Sequence, residues 1–137
     1  MKVFLDTNIL LDVLLSREPH VATSAQIWSG VERGEFQGVI SAISFNNVYF
    51  IVRRLSDRKK AEWSLRIMRG TFDVVPVDDK LLGRAIDAGF NDFEDAIQFF
   101  SAIASGADLI LTRNTSDFPV NILSVLTPEV FLATLKT

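Results

Sequence analysis

The three apolar residues Val3-Phe4-Leu5 break off abruptly into Asp6-Thr7-Asn8, and a second apolar run follows at once. A strand apolar at every position needs cover on both faces, the condition met in parallel sheets with helices on either side. In open α/β folds, ligands bind just outside the carboxyl ends of such strands. Asp6 therefore falls where a protein of this class keeps its chemistry. Thr7 and Asn8, short and polar, can hydrogen-bond local backbone groups and cap the helical segment expected from Ile9 to Leu15.

The rest of the chain alternates in the same way. Pro19 favours a new helix start, and a second helix is expected from about His20 to Glu32, ended by Gly34. Gly38 to Ser41 reads as a short buried strand, Ser44 to Arg54 as a packed helix, and Ser56-Asp57 as the cap of an amphipathic helix from Arg58 to Arg69 stopped by Gly70. Phe72 to Val77 suits a third strand. Asp78-Asp79 caps a helix closed by Gly89, and Asn91-Asp92 caps a nearly all-apolar one, Phe93 to Ala104, ended by Gly106. Asp108 to Thr112 is the strongest strand signal; a polar loop runs from Arg113 to Asp117. A last strand near Ile122 to Leu126 leads into a helix capped by Thr127 with Pro128 at its first position. Five strands separated by helices predict a three-layer α/β/α sandwich with a mainly parallel five-stranded sheet, one domain over residues 1–137.

Composition removes several classes of function. The chain contains no cysteine, so it has neither a disulfide framework nor a thiolate metal site. No basic leader with an apolar stretch and cleavage site begins it, which makes a cytoplasmic setting the expectation. No apolar run approaches the ~20 residues that span a bilayer, so no membrane association is expected. A net charge of −3 gives no overall footprint for nucleic acid, though basic patches coexist with such a sum when the acids gather in a cleft.

The topology brings the acids together. Asp6 leaves the first strand, and Asn114 and Asp117 leave the strand ending at Thr112, at the same sheet edge. Asp92 and Asp95 share a face of the helix beginning at Phe93, and Glu94 points about 100° away from Asp95. Asp92 and Glu94 read as first-turn acids favoured by the helix dipole. Asp95, set among Phe93, Ala96, Ile97, Phe99 and Phe100, needs a partner and reads as functional. Carboxylates this close must take up a proton or bind a cation. Oxygen-only ligands suit Mg²⁺ or Mn²⁺, which points to phosphodiester chemistry.

The set Val3-Phe4-Leu5-Asp6-Thr7-Asn8, Asp92-Phe93-Glu94-Asp95-Ala96 and Leu111-Thr112-Arg113-Asn114-Thr115-Ser116-Asp117-Phe118 resembles the PIN-domain family. In size the chain is similar to the VapC-type toxin ribonucleases. The resemblance covers nearly the whole chain and implies Mg²⁺- or Mn²⁺-dependent cleavage of RNA, a homodimer, and a small antitoxin protein as partner. It matches Asp6, Asp95 and Asp117 to the family's metal-binding acids, with Thr112 as the hydroxyl residue beside the site. Asn8 joins them as a supporting residue.

The chain departs from the family pattern twice. Asn47, with Asn46 as the neighbouring alternative, stands where the family commonly has Glu, and Asn114 stands where it commonly has Asp. Each keeps an oxygen ligand but removes a charge, so the expected cluster falls to three acids with Asn114 completing the metal's shell. The competing expectation is a degenerate PIN domain that binds RNA or protein without cleaving. Arg113 is a candidate phosphate contact, and Arg53, Arg54, Arg58, Lys59 and Lys60 could follow an RNA backbone.

Overall fold

The apolar run forms a strand, and both its faces are covered. In a computed structural model describing residues 1–136, strand β1 (Lys2–Leu5) lies at the centre of a five-stranded sheet. The order is β3-β2-β1-β4-β5, with β2 (Gln37–Ser41), β3 (Asp73–Val75), β4 (Leu109–Leu111) and β5 (Ser124–Leu126). Every pairing is parallel. Val3, Leu5, Ile40, Leu109 and Leu111 belong to one apolar cluster, whereas Phe4, Val39 and Ile110 belong to another. That division follows from the two-residue period of a strand.

The first cluster packs the sheet against α1 (Thr7–Leu14), α2 (Val21–Glu32), α3 (Ile43–Leu55), α4 (Arg58–Thr71) and α7 (Pro128–Leu135). The other face carries α5 (Asp79–Asp87) and α6 (Phe93–Ser105), through Leu81, Ala85, Ala96, Ile97, Phe99 and Ala102. This is the expected three-layer sandwich. Among the described residues no helix is long and apolar enough to cross a membrane. Gly38 shows how tightly α2 sits on β2: a Cβ there would come within 2.7 Å of Val31 Cγ2 and 2.8 Å of Phe72 Cδ1.

Most helix boundaries follow their caps. Asp57 accepts from Lys60 N at 2.7 Å, Asp78 from Leu81 N at 2.9 Å, Asp92 from Asp95 N at 3.0 Å and Thr127 from Val130 N at 3.3 Å. Gly106 closes α6 in the left-handed region, with φ 71°, where a glycine avoids the Cβ penalty. Four details differ from the sequence reading. The first helix starts at Thr7 with Asp6 as its N-cap, and no side chain caps it. Gly70 lies inside the last turn of α4, its propensity cost of about 1 kcal/mol offset by the burial of Ala61 and Met68. β3 is shorter because Phe72 N still bonds Met68 O and Pro76 has no N–H to offer. β5 begins only at Ser124, after a turn through Val120–Ile122.

The sheet ends in a common edge. Asp6 N donates to Leu111 O at 3.0 Å, Thr112 N to Leu126 O at 3.0 Å and Ala42 N to Val75 O at 2.9 Å. A buried carboxylate ties this edge to the helices. Asp12 on α1 has no exposed surface; its Oδ2 accepts from Arg113 Nε at 2.9 Å and from Ser24 Oγ at 3.2 Å, and its Oδ1 pairs with Arg17 Nε at 3.1 Å. Asp12 thus joins α1, α2 and the loop after β4.

Removing one partner of a buried ion pair typically costs 3–5 kcal/mol, and here both guanidinium groups keep about a third of their surface in water. Asp12→Ala should therefore destabilise the fold by about 2–3 kcal/mol in urea unfolding. A change below about 0.5 kcal/mol, the range of an ordinary surface substitution, would mean that Asp12 does not join these elements.

Candidate active site

Each acid reaches the sheet edge by a different route. Asp6 sits at the end of the central strand and is 6% exposed; Thr112, one residue past β4, donates from Oγ1 to Asp6 Oδ2 at 3.0 Å. The same Thr112 oxygen accepts from Asn114 N at 3.2 Å, so one hydroxyl fixes both the carboxylate and the start of the loop. Asp117 ends a short 3₁₀ turn, Thr115–Asp117, and is exposed. Asp95 is half-buried in the first turn of α6.

Glu94 is the residue that sequence reasoning missed. Its place in the first turn suits the helix dipole, yet its side chain turns inward to line the same cleft as Asp6. Its Oε1 accepts from Gln98 Nε2 at 2.7 Å and from Asn47 Nδ2 at 3.2 Å. Gln98, wholly buried, also reaches Thr7 Oγ1 at 2.8 Å and Ser44 Oγ at 3.1 Å, and those two hydroxyls share a bond of 2.8 Å. A signal was available. Glu94 and Gln98 are four residues apart on a nearly all-apolar helix, so the two share a face and are buried together.

The Asn residues take positions of their own. Asn47 does not stand alone in place of a missing acid: its amide hydrogen-bonds Glu94, an acid brought from another helix. Asn114 is exposed, and its side-chain oxygen accepts from Ser116 Oγ at 2.8 Å inside its own loop. Asn8 lines the Asp6 cleft, its side-chain oxygen accepting from Arg17 Nη2 at 3.4 Å. Arg113, expected near a phosphate, has its Nε on the buried Asp12. Arg58 pairs with Glu62 at 3.1 Å.

The expected group of three acids thus becomes four, Asp6, Glu94, Asp95 and Asp117, with Asp92 beside them. Carboxylate oxygens of Asp92, Glu94 and Asp95 lie within 4.8 Å of one another, although Asp92 is also the helix cap anticipated for it. The acids perturb one another. Burial, then the Glu94 carboxylate, with a smaller push from Asp117, raise Asp6 from 3.8 to about 6, against the Thr112 hydroxyl and the Thr7 amide. Partial burial, then Asp92, Asp117, Glu94 and Asp6, raise Asp95 to about 7. Glu94 is also raised, by burial first, with the Gln98 hydrogen bond opposing. Oxygen-only donors crowded in this way fit a hard divalent cation.

The acids are divided between two clefts. One, about 300 Å³, runs from Asp6 and Glu94 to Asn46, Asn47 and Phe50. The other, about 560 Å³, is lined by Asp92, Asp95, Ser116, Asp117 and Phe118. A larger hollow of about 780 Å³, bounded by Phe45, Leu65, Arg66 and Arg69, contains none of these acids.

Residues 2–116 match the PIN domain. The chain is 28% identical over 135 residues to ribonuclease VapC1 of Aquifex aeolicus (strain VF5), covering 95% of this chain and 92% of that protein. Among solved structures, a toxin-antitoxin complex from Klebsiella pneumoniae superposes with TM-score 0.68 at 25% identity, over 92% of this chain and 97% of that one. VapBC2 from Rickettsia felis, bound to a DNA fragment from its promoter, superposes with TM-score 0.70 at 16% identity, over 93% and 98%.

The raised carboxyls fix the sign of a pH effect. A carboxyl whose pKa is higher in the fold than in the unfolded chain favours the fold at low pH, and that contribution is lost as pH rises through the folded value. For Asp6 the loss runs from 3.8 to about 6, and by the free energy of a pKa shift it reaches up to about 3 kcal/mol; for Asp95 it extends to about 7. In chelator, Asp6→Asn should therefore unfold at a higher temperature than wild type at about pH 8, with the gap shrinking towards about pH 4. A variant less stable than wild type across that range would contradict the crowding of these carboxylates.

Proposed function

We propose, for a chain that belongs to the PIN-domain family, that it is a metal-dependent endoribonuclease and the toxin of a toxin-antitoxin pair. The observation that carries the reading is the convergence of Asp6, Glu94, Asp95 and Asp117 at the carboxyl edge of the sheet, where Asp6 and Asp95 are held far above the ordinary carboxylate range. The likeness to ribonuclease VapC1 and to the two complexes supports RNA as substrate and a small antitoxin as partner. An RNA substrate puts the work in the cytoplasm, and the active form is a homodimer.

Asp6, Asp95 and Asp117, with Glu94, would hold Mg²⁺ or Mn²⁺, and Asn114 would complete the shell by turning its oxygen from Ser116. The cation supplies Lewis-acid polarisation of the phosphodiester and charge for the leaving oxygen. The chain's own residues do the rest. Thr112 orients Asp6 through the 3.0 Å hydrogen bond, and Asn47 and Gln98 hold Glu94 towards it. Asp95 is partly protonated near neutral pH and Asp6 becomes so just below it, and metal binding must displace those protons. Arg53 and Arg54, exposed on the helix of Asn47, give the phosphate backbone a positive approach.

A second reading, a PIN scaffold that binds RNA or protein without cleaving, is favoured by the neutral Asn47 and Asn114 and by their hydrogen bonds to Glu94 and Ser116. Calorimetric titration of Mn²⁺ and Mg²⁺, followed by cleavage of a mixed single-stranded RNA, separates the two. Disturbing groups behind a metal ligand costs 10–100-fold, so loss of a ligand in Asp6→Asn should lower cleavage by more than about a hundredfold and weaken metal binding with it. Full cleavage by Asp6→Asn would remove Asp6 from the site, and metal binding without cleavage in wild type would favour the second reading.

A further inference from the structure

The cleft on the α3 side of the acids differs from a phosphate site in kind. Among its lining residues are the acids Asp6 and Glu94, three asparagines, and Phe50 at its rim, and none is Lys or Arg. Carboxylates with no cation repel a phosphate, whereas amides and an aromatic face are the groups that recognise an unpaired base. Phe50 is 63% exposed on a helix that packs through Val48 and Val52, so packing of α3 does not account for a phenylalanine there. It lies four residues from Asn46 and three from Asn47, on one helical face. Asn46 is exposed and makes no side-chain hydrogen bond among the described residues. Arg54, the next turn along, stands over the Phe50 ring at 5.9 Å from its centroid, a cation beside the ring but outside the cleft lining.

We propose that this cleft is a nucleobase subsite: an unstacked base next to the scissile phosphate lies on Phe50 with its edge towards Asn46 and its neighbours. This deepens the ribonuclease reading and rests on it. The division of labour is chemical. The sugar-phosphate crosses the acids, where a divalent cation offsets their charge, and the base turns into the adjoining hollow that offers three asparagines and an exposed ring; the hollow on the Asp95 side has one asparagine, Asn91, and its Phe90 and Phe118 are half-buried and buried. The substrate class that follows is single-stranded RNA, since a paired and stacked base could not enter.

The test pairs a protein change with a substrate change. A short single-stranded oligonucleotide is taken around a wild-type cleavage site in mixed RNA, and an abasic nucleotide replaces each base flanking the cut. Loss of a base–aromatic stack corresponds to at least about a fivefold effect. Phe50→Ala should raise KM by that factor with kcat and Mn²⁺ affinity unchanged, and Phe50→Trp should restore KM. One abasic position should cost wild type the same factor and cost Phe50→Ala nothing further, the signature of coupled groups. An unchanged KM in Phe50→Ala, or an abasic penalty of full size in that variant, overturns the subsite and leaves Phe50 to a protein contact.

Binding of the same RNA by fluorescence anisotropy, in the Asp6→Asn background, keeps this inference apart from the reading beneath it; without wild-type cleavage, the mixed RNA serves as probe. Weaker binding on adding Phe50→Ala supports the base site even if wild type cleaves nothing. Cleavage by wild type with no Phe50 effect on binding removes the base site alone.

Discussion

Repulsion between carboxylates at the end of β1 is the constraint on which the rest of the molecule bears. Left free, the four acids would separate; they are held because three separately anchored parts of the fold carry them. The central strand fixes Asp6, flanked by parallel partners on both sides and apolar layers on both faces. The first turn of α6 fixes Glu94 and Asp95, and the loop after β4 brings Asp117. Burial of the sheet thus supplies the force that opposes the charge, which is why the carboxyls are pushed towards neutrality rather than apart.

The polar residues behind the acids decide which way each faces. A single amide, Gln98 Nε2, reaches Glu94, Thr7 and Ser44, and so couples α6 to α1 and α3 beside the site. Thr112 does the corresponding work for Asp6 and the loop. Neither residue carries charge. Neutral donors orient a carboxylate without neutralising it, and so leave its charge available to a cation.

Much of this was legible in the chain, and the exceptions share a cause. The apolar run ending at Asp6, the alternation of elements and the caps at Asp57, Asp78, Asp92 and Thr127 are local patterns with local physics. Asp12 and Thr7 depend on partners distant in sequence, Arg113 for Asp12 and Ser44 and Gln98 for Thr7, and Glu94 depends on the distant Asn47 as well as on the nearby Gln98 that does signal it. A capping propensity describes what Thr7 can do alone. Two buried partners on other helices outweighed it, and the first helix began at Thr7. Gly70 shows the same ordering of strengths, a weak local preference against the burial of a helix face.

The Asp12 junction has a consequence for how ions act on this molecule. Salt screens charges that meet in solvent far more than charges paired under a protein surface, and Asp12 is fully enclosed while its two arginines are largely so. The loop that carries Asp117 is therefore tethered by a link that added electrolyte barely loosens. Exposed groups such as Arg53 and Arg54 have no such shelter. Ionic strength then acts on the approach of a polyanion and leaves the shape of the site intact, so the salt dependence of any ligand's association reads the outer charges alone.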